Sequence, residues 1–95
     1  MAFQRTTTEL AGLIVLEPQV FGDNRGYFKE TFRDADFKEL GLPAFVQENE
    51  SRSKAGVLRG LHYQLKPSSL TKLVRCVRGA IFDVAVDIRK SSPTY

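Results

Sequence analysis

Apolar residues never run on in this chain. The longest uninterrupted stretch is Leu13–Leu16, and elsewhere apolar and polar residues alternate over short spans broken by Gly, Pro, Asn, Asp and Ser. Alternation with a period of two favours strands, and no stretch approaches the ~20 apolar residues of a membrane helix. Leu13–Leu16 (closed by Pro18), Tyr27–Phe32, Phe45–Ser51, Val57–Gln64, Leu70–Val77 and Ala80–Ile88 therefore read as strands. Phe21–Gly26 carries turn chemistry, Lys54–Gly56 and Lys66–Ser69 read as a turn and a loop, and Arg78–Gly79 reads as a tight hairpin. Asp34–Leu40 is the one helical candidate. Asp34 or Asp36 offers a cap, Phe37 and Leu40 are spaced to share a face, and Gly41 with Pro43 ends it. Short strands with close turn punctuation predict an all-β sandwich or barrel. With 95 residues the expectation is a single domain, 1–95, burying roughly 64% of its unfolded surface. A composition of 42% hydrophobic and 26% charged residues is that of a globular chain and argues against disorder.

Charge is divided unevenly. Residues 1–50 hold 5 basic and 9 acidic residues, and residues 51–95 hold 9 basic and 2 acidic. No acid lies between Glu50 and Asp83, a stretch holding seven Lys and Arg residues. Such a block either forms a solvated face balanced by the first half or meets an anionic partner. The basic residues form no run and no nucleic-acid motif is present, so a nucleic-acid partner is not expected, nor is a membrane. A phosphorylated or nucleotide-linked small molecule stays open. Met1–Leu10 has no apolar core of a secretory signal, and the single Cys76 excludes an intrachain disulfide or a cysteine-built zinc site. A reducing, cytoplasmic setting fits.

Strand parity assigns side chains to faces. Gln47 and Asn49 share a face, as do Lys72, Val74 and Cys76. Phe82, Val84, Val86 and Ile88 form the expected core face of the last strand, leaving Asp83 and Asp87 to solvent or a polar cavity.

His62 is the chain's one histidine, within Arg59-Gly60-Leu61-His62-Tyr63-Gln64. A lone strand histidine is commonly structural, yet an ordinary pKa near ~6.5 makes imidazole the best general base available here. A metal centre built on several histidines does not fit. Arg59 suits bidentate phosphate or carboxylate recognition, or a plain surface position. Alternation puts Arg59 and His62 on opposite faces, so a shared site requires a bulge at Gly60.

Six stretches, Gly22–Glu30, Gln47–Asn49, Arg59–Gln64, Lys72–Gly79, Phe82–Arg89 and Ser91–Tyr95, together resemble the dTDP-4-dehydrorhamnose 3,5-epimerases, in order and over nearly the whole chain. The resemblance implies a cupin-type jelly roll, a homodimer exchanging N-terminal strands, and no metal or organic cofactor. It implies a reaction that inverts carbons 3 and 5 of a dTDP-linked 4-keto-6-deoxy sugar on the way to surface polysaccharide. His62 then matches the base, and Lys72 the cation beside the developing enolate oxygen. Asp83 matches a supporting position. Arg59, Gln47 and Asn49 match substrate contacts, and Arg25 and Glu30 match positions that reach the nucleotide or sugar, across the dimer. The diphosphate supplies an anion for the basic half.

Two departures from the family pattern stand out. The family continues for a comparable length beyond Tyr95, and its acid tyrosine and the carboxylate that pairs with the histidine lie there; Tyr63 and Tyr95 are not that tyrosine. Leu70 stands where the family usually has Gln. The chain is thus expected to be the N-terminal part of such a protein, poorly stable or prone to aggregate unless it dimerises, with a non-catalytic sugar-nucleotide-binding fragment as the alternative reading.

Overall fold

The computed structural model describes residues 3–95. It is mostly strand where it is regular: two small antiparallel sheets and one short helix. Strands β1 (Phe3–Thr7) and β2 (Ile14–Pro18) pair from Phe3↔Pro18 to Thr7↔Ile14. Strands β3 (Val20–Asp23) and β4 (Gly26–Lys29) pair from Val20↔Lys29 to Asp23↔Gly26. Helix α1 is Asp34–Glu39. The chain divides into two compact units, one holding the residues up to Ala44 with Ile81–Tyr95, the other Phe45–Ala80.

In the first unit the β1–β2 loop is held by Thr8, whose hydroxyl donates to the Leu13 carbonyl at 2.8 Å and accepts the Leu10 N–H at 3.2 Å. This is the local bonding that favours Ser and Thr in turns. Among the described residues the buried ones are two phenylalanines, Phe3 and Phe37. Phe37 meets Phe3 and Phe32 edge to face, with ring centroids 5.2 and 4.9 Å apart, the geometry that aromatic quadrupoles favour.

Helix α1 ends as its sequence predicts. Gly41 takes φ 77°, its N–H donates to the Lys38 carbonyl, and the Leu42 N–H reaches back to the Phe37 carbonyl, both at 3.0 Å. This is a Schellman cap, which uses glycine's freedom in the left-handed region. The Arg5 guanidinium of β1 donates to the Leu40 carbonyl, tying hairpin to helix end. The start differs from expectation. Arg33 holds the cap position with no side-chain capping bond, and Asp34 and Asp36 lie inside the first turn, where their charge favours the positive end of the helix dipole.

Other expectations need correction. The Leu13–Leu16 strand is β2, shifted by one or two residues, and Tyr27–Phe32 stops at Lys29 in β4. Strands β1 and β3 fall outside the expected ones, β3 in the stretch read as a turn. The segments Phe45–Ser51, Val57–Gln64, Leu70–Val77 and Ala80–Ile88 form no strand ladder among the described residues. Their turns are present: Val57 N–H closes on the Lys54 carbonyl at 3.3 Å and Ser68 N–H on Leu65 at 2.9 Å. Arg78–Gly79 bends the chain, with Gly79 at φ 84°, without a hairpin around it. The expected core face is exposed, Phe82 by 94%. Alternation marks a segment suited to a half-buried pleated surface; a ladder also needs a partner strand, and no described segment pairs with these.

Candidate functional site

The unit 45–80 carries Gln47, Asn49, Arg59, His62 and Lys72, all of them exposed. Within that unit no hydrogen bond or ion pair joins any two of these five. Arg59 is the best anchored. Its Nε donates to Ser53 Oγ at 2.9 Å and its Nη2 to the Arg52 carbonyl at 3.4 Å. The guanidinium thus spans the Lys54–Gly56 turn from one side to the other. Gly60, expected at a bulge, sits in no ladder but has φ 115°, a conformation open to glycine and costly for L side chains. A Cβ built there would lie 3.5 Å from His62 Nδ1 and 3.7 Å from the His62 backbone nitrogen.

The other unit carries Arg25, Glu30 and Asp83. Arg25 sits at the β3–β4 tip beside Asp23. The Asp23 carboxylate accepts the Arg25 N–H at 2.9 Å and the guanidinium through Nε at 3.2 Å and Nη2 at 2.7 Å. That guanidinium, and next the Arg25 N–H, hold the Asp23 carboxyl below the usual carboxylate range, and Asp23 raises Arg25 in turn. Glu30 lies 3.9 Å from Arg33 Nε, and Asp83 is exposed.

Sequence reasoning left Asp87 to solvent or a polar cavity and missed the cluster of Arg89, Ser92 and Thr94 around it. Asp87 accepts the Arg89 N–H at 3.0 Å, Arg89 Nε at 2.9 Å and Nη2 at 3.0 Å. It also accepts the Thr94 hydroxyl at 2.6 Å and the Ser92 hydroxyl. Its side chain is 2% exposed, and the Arg89 guanidinium first, then the two hydroxyls, hold its carboxyl far below the ordinary range. The signal was available: Asp-X-Arg occurs twice, at Asp23 and Asp87, and both copies fold into the same three-residue staple.

Hollows among the described residues include the following two. One of about 290 Å³ is lined by Phe3, Gln4, Glu17, Pro18 and Gln19. The other, of about 260 Å³, lies along Leu10–Leu13 and Ala85–Arg89. Neither is lined by a sequence-predicted site residue. Among the described residues no helix is long and apolar enough to cross a membrane, and no group of three or more His, Cys, Asp or Glu is placed to hold a metal ion.

The family profile described as dTDP-4-dehydrorhamnose 3,5-epimerase matches residues 7–95. A dTDP-4-dehydrorhamnose 3,5-epimerase of Shigella flexneri is 59% identical over 90 residues, covering 93% of this chain and 50% of the relative. One from Methanothermobacter thermautotrophicus is 59% identical over 95 residues, covering 98% and 50%. One from Escherichia coli is 53% identical over 90 residues, covering 93% and 49%. The chain spans about half the length of these curated relatives. No solved structure gives a significant match. A match over residues 7–95 at this identity, in a chain that also carries the Arg59–Gln64 and Lys72–Gly79 motifs, places it in the dTDP-4-dehydrorhamnose 3,5-epimerase family.

Proposed function

We propose that this chain is the N-terminal part of a sugar-nucleotide epimerase, a single domain that belongs to a cupin-type jelly roll. The reaction inverts carbons 3 and 5 of dTDP-4-dehydro-6-deoxy-D-glucose to give dTDP-4-dehydro-L-rhamnose. Family membership over residues 7–95 carries this reading. The chemistry suits the side chains present. Both reacting carbons flank the 4-keto group, so the carbonyl acidifies both protons. His62 removes a proton, the electron pair moves into the carbonyl to give an enolate, and an acid returns a proton on the opposite face. Lys72 lies against the enolate oxygen, where negative charge develops. Asp83 supports that pair. Arg59, Gln47 and Asn49 contact the substrate, while Arg25 and Glu30 reach the nucleotide or sugar of a partner subunit in a cytoplasmic homodimer.

The exposure of His62 and Lys72 and the lack of a bond joining any two of the five in unit 45–80 favour a second reading, a sugar-nucleotide-binding fragment without turnover. Proton exchange separates the two. The 4-keto sugar nucleotide is incubated with the chain in heavy water and carbons 3 and 5 are followed by NMR, with His62→Ala as control. Deuterium at both carbons with inverted product supports the epimerase. Exchange that needs His62 but gives no inversion means a working base without its acid. Binding without exchange above the control leaves the second reading.

A further inference from the structure

Gly60 is the one glycine at which an added side chain would meet a residue of the proposed site. The bond direction its Cβ would take points at the Nδ1 edge of His62, at 3.5 Å, a van der Waals contact. No other ring atom of His62 comes within 4 Å of that position, so Nε2 lies on the far edge. A methyl group there would rest against Nδ1 and crowd the approach of a donor, acceptor or water to that edge. It would also oppose the φ of 115°, which an L residue adopts only at a cost. The consequence follows from imidazole chemistry. In a neutral ring one nitrogen donates and the other accepts, and the bond made by one sets the state of the other.

We propose that Gly60 is a positioning residue for His62: its bare Cα leaves the Nδ1 edge open, so that the group bonding Nδ1 sets the tautomer and leaves Nε2 to take the substrate proton. This rests on the reading of His62 as the base.

The test uses the fact that His62 is the only histidine, so its ring nitrogens give one unambiguous pair of ¹⁵N signals. Three full chains are compared: native, Gly60→Ala, and one with D-alanine at 60 installed by peptide ligation. D-Alanine accepts positive φ and carries its methyl group in place of the other Cα hydrogen. The expected result is a changed tautomer ratio in Gly60→Ala and the native ratio with D-alanine. Sugar-proton exchange should fall about tenfold in Gly60→Ala with KM within about twofold, and return with D-alanine. A native tautomer ratio in Gly60→Ala, or the same change with both alanines, overturns the proposal. If Gly60→Ala does not fold, displaced nitrogen signals in the D-alanine chain still overturn the proposal. If the native chain exchanges no sugar proton, His62 loses its role as base, while the nitrogen signals still report whether Gly60 positions the ring.

Discussion

Arg89 holds Asp87 through both carboxylate oxygens while the same guanidinium donates to the Ala11 carbonyl at 2.7 Å, 78 residues away in sequence. One side chain thus closes a local turn and ties the Ile81–Tyr95 segment to the β1–β2 loop. Replacing Asp87 by Asn removes the charge and one acceptor oxygen, leaving the Ser92 and Thr94 hydroxyls to compete for what remains. Amide exchange at Ser92 and Thr94 is expected to quicken about tenfold in Asp87→Asn, measured by hydrogen–deuterium exchange.

The same cluster gives a pH dependence with a definite sign. The Asp87 carboxyl is held far below its unfolded value, first by Arg89 and then by Ser92 and Thr94. A depressed folded value means that its contribution is fully present above the unfolded pKa near ~3.9 and is lost as pH falls below it toward the folded value. In a ¹³C titration the Asp87 carboxyl signal is expected to stay in its ionised position at pH ~3, where an unfolded-peptide reference is already mostly protonated.

Phe37 is 2% exposed and is the ring that joins Phe3 of β1 to Phe32. Phe37→Ala is expected to cost about 3 kcal/mol locally and to release α1, seen as lost helical circular dichroism and lost protection at Leu40 and Leu42.

Gly41 at φ 77° closes the helix. Gly41→Ala is expected to cost about 1 kcal/mol in thermal or denaturant unfolding, and Gly41→Asn less, since Asn tolerates the left-handed region. The added Cβ meets open space apart from Arg5 Nη1 at 3.9 Å, so the cost is conformational rather than steric.

In the proposed reaction Lys72→Met should lower sugar-proton exchange about 10²-fold while binding of the nucleotide persists, because the ammonium acts where charge appears and not in the ground state. A loss of binding equal to the loss of exchange would move Lys72 to substrate recognition.

The local part of the fold was legible, and of the paired strands β2 and β4 were read while β1 and β3 were not. Helix α1 was readable because its signals lie within ten residues: the Phe37–Leu40 spacing, then Gly41 and Pro43 as a stop. The turns at Lys54–Gly56 and Lys66–Ser69 were readable for the same reason. β1, with the sequence Phe-Gln-Arg-Thr-Thr, has little alternation of its own; its register comes from β2 across the hairpin. β3 was hidden because Gly22 and Asp23 look like turn residues, yet the turn proper is Asn24–Arg25. At the site, residue types could be read and neighbours could not. Arg59 bonds Ser53, a pairing no spacing rule supplies, and the Asp87 cluster went unnoticed although its Asp-X-Arg pattern stands twice in the chain.

The two Asp-X-Arg staples close over three residues, so each costs little chain entropy and needs no distant partner. Such a turn can form as soon as its own residues leave the ribosome. At Asp23–Arg25 the direction reversal between β3 and β4 can be made before α1 has left the ribosome, so the nascent chain meets its longer-range choices with this bend already in place.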